Sequence, residues 1–71
     1  MELIKALEKE VRSIRLKINK LSDFIDDSSH FQNYSDVQKA LTATQANAMT
    51  SYLYILLERI HYLEKENETN R

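Results

Sequence analysis

The stretch IKALEKEVRSIRLKINKLSDFI, residues 4–25, decides the fold. Within it Ile4, Leu7, Val11, Ile14, Ile18, Leu21 and Ile25 recur alternately three and four residues apart. That is a heptad seam held through three repeats, the spacing of an amphipathic helix packed along a partner helix. Lys5, Glu8, Lys9, Glu10, Arg12, Lys17, Asn19 and Lys20 fall between the seam positions and form a solvated face. A 3.5-residue period predicts a left-handed supercoil. A helix over residues 2–25 is about 36 Å long at ~1.5 Å per residue. Leu16 lies nearly opposite the seam, as a surface leucine or part of a second contact.

Working outward, Asp26-Asp27-Ser28-Ser29 interrupts the repeat with short side chains that bond their own backbone and favour turns. The connection spans residues 26–35, with His30, Phe31 and Tyr34 expected to fold back as a hydrophobic plug over the hairpin end. Ser35-Asp36-Val37-Gln38 reads as a capping box that opens a second helix, with Asp36 favourably placed at its positive end. That helix is expected over residues 36–67, about 48 Å, followed by a frayed polar tail at 68–71.

Two stripes run along the second helix. Thr42, Ala46, Met49, Leu53, Leu56, Ile60 and Leu63 form one; Leu41, Gln45, Ala48, Tyr52, Ile55, Arg59 and Tyr62 form its neighbour. A single antiparallel partner covers only a narrow a/d seam, so a second interface is implied. The predicted core is the whole first-helix seam together with Met49, Leu53, Leu56, Ile60 and Leu63. The alanine- and threonine-rich stretch 40–51 either permits close backbone approach or is simply a good helix former.

Composition supports this reading and narrows the function. The chain has 71 residues and contains no Gly, Pro or Cys. A β-rich chain needs several turns with positive φ, which glycine supplies most cheaply. A domain this small is marginal without a staple, and with no disulfide or thiolate zinc site available, oligomerisation is the remedy left. The fold class expected is therefore all-α: one antiparallel helical hairpin over residues 1–71, assembling into a multi-helix bundle by self-association. Net charge is −1, which does not favour nucleic acid as a partner. Met1-Glu2 lacks the plan of a signal peptide, and the longest apolar run, Tyr52 to Leu57, is far short of a span of ~20 residues. A cytoplasmic protein without membrane contact is expected.

Chemistry is sparse. The absence of glycine excludes phosphate-cradling loops, and the serines sit at caps and loops, where capping explains them. Glu58 and His61 have the i, i+3 spacing of di-iron bundle ligands, but they lie off the Leu53/Leu56/Ile60/Leu63 seam. His30 reads as a loop histidine. Neither catalytic residues, nor a cofactor, nor a metal site is expected. The polar members of the second stripe, Gln45, Tyr52, Arg59 and Tyr62, cost stability unless paired. They form either an interface, with Arg59 meeting an acid such as Glu8 or Glu10, or a ligand site. In the second case arginine binds an anion, tyrosines stack on a planar ring, and Arg12 and Arg15 add contacts from the first helix.

Lys20-Leu21-Ser22-Asp23-Phe24-Ile25, then Phe31, Leu41, Gln45, Ala48-Met49, Tyr52, Ile55-Leu56 and Arg59-Ile60, resemble a pattern of short bacteriophage proteins. Those are helical-hairpin accessory proteins, and some small phage hairpins are oligomeric sponges for cyclic-nucleotide immune signals. The resemblance implies a non-enzymatic protein that works by stoichiometric binding in the host cytoplasm. Its expected partners are itself, as a homodimer or higher oligomer, and a host or phage protein; the alternative is a cyclic nucleotide. It carries over no binding residues.

Overall fold

The computed structural model describes residues 2–69, and side chains through residue 67. It is all-α, with α1 at Glu2–Asp27, α2 at Ser29–Gln32 and α3 at Asp36–Thr69. α1 and α3 pack against each other as an antiparallel hairpin, 56 Å in its longest dimension and 16 by 14 Å across. The α1 helix runs two residues past Ile25 and closes with the Ser28 N–H donating to the Phe24 carbonyl at 3.1 Å. The tail expected at 68–71 continues α3 as far as Thr69; Asn70 and Arg71 lie outside the described residues.

The connection is more ordered than its composition implies. Ser28 is extended and its Oγ accepts from the His30 N–H at 3.1 Å, so it caps the single turn of α2. The Asn33 N–H donates to the Ser29 and His30 carbonyls, each at 3.2 Å, and ends that turn. No described residue has positive φ, which is how the chain reverses without glycine. Phe24, Phe31 and Tyr34 form a three-ring cluster with centroids 5.6–6.0 Å apart, in tilted and edge-on arrangements. His30 is exposed and outside that cluster, so the plug consists of Phe31 and Tyr34 on Phe24 rather than His30. At the start of α3 the Gln38 N–H donates to Ser35 Oγ at 3.2 Å, and the Lys39 N–H to the Ser35 carbonyl at 2.9 Å.

Leu7, Val11 and Ile14 of α1 are buried against Leu56 of α3, which has 0% exposure. Ile18, Met49, Leu53, Leu57, Ile60 and Leu63 pack around them, partly buried. Ile4, Leu21 and Ile25, also expected in the core, are half-buried towards the hairpin ends. Leu57 joins the core without belonging to either stripe read from the sequence. Thr42 is buried at the far end of the same α3 face, its hydroxyl donating to the Gln38 carbonyl at 2.8 Å. Leu16 is 60% exposed.

The second stripe has the opposite fate. Leu41, Gln45, Ala48, Tyr52, Ile55, Arg59 and Tyr62 are all exposed. One face of α3 meets α1, and the adjoining face, still rich in large apolar groups, meets solvent.

Candidate functional site

Exposure of that face divides the candidate residues into separate places. Arg59 and Tyr62 share an open groove of about 480 Å³ at the end of the hairpin away from the connection. Ile55 and Leu63 of α3 and Leu3 of α1 supply its apolar surface, Tyr54 a second ring, and Glu58 and Glu66 two carboxylates. Hairpin closure brings Leu3 beside Leu63, so the groove belongs to the folded chain and not to α3 alone. The Tyr62 ring has the His61 ring edge-on at 5.2 Å and the Lys65 ammonium 6.0 Å from its centroid. Lys65 itself does not line the groove, so Arg59 is its one cation among the lining residues.

Gln45 lies elsewhere. It lines a second open depression of about 350 Å³ near the connection, with Lys17, Lys20, Leu21 and Phe24 of α1 and Met49 of α3. Fourteen residues separate Gln45 from Arg59, about 21 Å along the helix axis. A small ligand on one chain cannot touch both. Tyr52, halfway between them, lines neither depression, and neither do Arg12 and Arg15, which are exposed on α1. The six candidate residues thus form no single site on one hairpin.

Within the single hairpin, Arg59 is not covered by α1. The guanidinium is exposed and makes no ion pair with any described residue, Glu8 and Glu10 included. Because water solvates it, no partner is required for stability. Its planar fork can bind a carboxylate or phosphate bidentately, and the two tyrosine rings offer faces for a planar group. The carboxylates of Glu58 and Glu66 can accept from hydroxyl or amino donors on the same ligand.

Of the groove residues that were not candidates from the sequence, Leu63 was read as core, Glu58 only as a possible metal ligand and Ile55 as part of the apolar stripe, while Leu3, Tyr54 and Glu66 were not singled out. Tyr54 falls on neither stripe, and Leu3 becomes relevant only once the hairpin closes. Glu58 and His61 are both exposed, and no group of three or more His, Cys, Asp or Glu gathers at metal-binding distance among the described residues. Nor is any helix, among these residues, long and apolar enough to cross a membrane.

No curated protein and no solved structure gives a significant match to this chain. A family model described as Sequestin matches residues 1–62, which takes in all of α1, the connection and α3 through Tyr62. With that match over most of its length, the chain belongs to the Sequestin family.

Proposed function

We propose that the protein is a self-associating, non-enzymatic sequestering hairpin whose Arg59 groove takes up a small anionic ligand with a planar ring, of the cyclic-nucleotide class. One observation carries the reading. Arg59 is exposed and without an ionic partner among the described residues, and it stands in a groove with the rings of Tyr54 and Tyr62 and the carboxylates of Glu58 and Glu66. Arginine answers phosphate, tyrosine faces answer a base, and Glu58 or Glu66 answers ribose hydroxyls or an exocyclic amine. The family name describes sequestration, and the phage-hairpin resemblance supports the same mode of action. A stoichiometric binder needs no nucleophile and no general base.

A thermal-shift panel of cyclic di- and trinucleotides tests this. Saturating ligand stabilises the folded state by mass action, so a cognate nucleotide raises Tm by several degrees. The rise is expected in the parent protein and not in Arg59→Ala, with helicity unchanged. No rise with any nucleotide, or an equal rise in Arg59→Ala, would overturn the assignment. The exposed apolar stripe of α3 favours a second reading, stoichiometric binding of a host or phage protein. A one-to-one complex with such a protein and an empty nucleotide panel would decide for it.

A further inference from the structure

The exposed α3 stripe is an interface, and its occupant can be argued from the chain itself. Residues 40–57 contain no Asp, Glu, Lys or Arg, in a protein that is 30% charged. A long surface helix normally carries charge on its solvent side, and here the stretch turns only one face to α1. The isolated chain exposes 5598 Å². That is about 1,000 Å² more than the ~4,600 Å² of a compact monomer of its 8.4 kDa mass. The excess is similar to the ~800 Å² that each partner buries in a standard interface.

We infer that a second copy covers this stripe, α3 against α3, antiparallel about a two-fold axis at Tyr52. This specifies the self-association in the proposed function but does not depend on the ligand. A two-fold contact is isologous, so the stripe must match its own reversal. It does so in one full-length register. Leu41 meets Tyr62 of the second copy, Gln45 meets Arg59, Ala48 meets Ile55, and Tyr52 meets itself. Small lies opposite large at Ala48 and Ile55, and Gln45 falls opposite Arg59, so that one of the guanidinium's five N–H groups donates to the Gln45 side-chain oxygen and the others stay available to the groove. A shift of one layer either way shortens the overlap and separates Gln45 from Arg59. The same register brings the depression holding Gln45, Lys17 and Lys20 of one copy towards the Arg59 groove of the other. The site then acquires cations that one hairpin keeps some 21 Å away.

The chain has no native cysteine, so single introduced cysteines report the geometry directly. Tyr52 is exposed on the hairpin, and Tyr52→Cys should keep its helicity. It should form a covalent dimer with a short bis-maleimide at micromolar protein, whether or not nucleotide is present. Leu41→Cys should not, because its mate is about 33 Å away along the axis in the antiparallel register. A mixture of Gln45→Cys and Arg59→Cys should give the mixed dimer. Cross-linking at Leu41→Cys equal to that at Tyr52→Cys would mean a parallel pair and overturn the inference. So would a helical Tyr52→Cys protein of monomeric mass, or a dimer that cross-links only through Leu16→Cys. Loss of nucleotide binding with the cross-linking pattern intact would sink the ligand reading and leave this one standing.

Discussion

Replacing Leu56 with alanine removes three carbon atoms from a side chain with 0% exposure, wedged among Leu7, Val11 and Ile14. The transfer cost alone is about 2.4 kcal/mol at ~0.8 kcal/mol per methylene-sized group. The cavity adds to this, although two helices with a thin core can close on it, so a total of about 2–4 kcal/mol is expected. A domain of this size has roughly 4–11 kcal/mol of stability altogether, which makes the loss a large fraction of the whole. The neighbouring Ile55 provides the control. It is 56% exposed on the chain, so Ile55→Ala should cost under ~0.5 kcal/mol in dilute protein. Urea unfolding followed by helical circular dichroism, at two protein concentrations tenfold or more apart, measures both. Leu56→Ala should lower the midpoint at either concentration, whereas Ile55→Ala should lower it mainly at the higher one, where association contributes. A Leu56→Ala cost below ~1 kcal/mol, or equal losses for both variants in dilute protein, would refute the assignment of the α3 face that meets α1.

Three further outcomes follow from single residues. Ser35→Ala removes the acceptor for the Gln38 N–H and should cost about 0.5–2 kcal/mol by urea unfolding, with Ser35→Asn largely preserving stability. Phe24→Ala takes one ring from the three-ring cluster; faster amide exchange confined to the connection and the adjoining helix ends is expected, and unchanged exchange there would contradict the role of the cluster. Ile18→Ala, on the partly buried seam, should cost about 1–3 kcal/mol and Leu16→Ala under ~0.5 kcal/mol; equal losses would mean that Leu16 anchors an interface of its own.

The all-α architecture was readable because α1 states its period without interruption from Ile4 to Ile25 and glycine is absent. Which α3 stripe meets α1 was readable too, since Leu53, Leu56, Ile60 and Leu63 are the larger and more uniformly apolar set. The α2 turn was not, because Ser28-Ser29-His30 carries strong turn chemistry and one helical turn is too short to show a period. Its only signal was Ser28 two residues before His30, as an N-cap. The surroundings of Arg59 were not readable, for a physical reason. An apolar stripe announces that something will cover it, but not whether the cover comes from the same chain. The hairpin uses its single intramolecular contact on the other stripe and leaves Arg59 uncovered by its own chain. The groove around it depends on Leu3, some sixty residues away in sequence, which no local pattern links to Tyr62.

The most direct test of the sequestering account is to follow both concentration and fate of the ligand. Purified protein is dialysed to equilibrium against each cyclic di- and trinucleotide, free nucleotide is quantified, and the protein is then heat-denatured to release what it holds. The account predicts that one nucleotide class is depleted in fixed proportion to protein and recovered chemically intact, and that Arg59→Ala depletes none. Undiminished free nucleotide across the panel, or a recovered product differing from the ligand supplied, would contradict it.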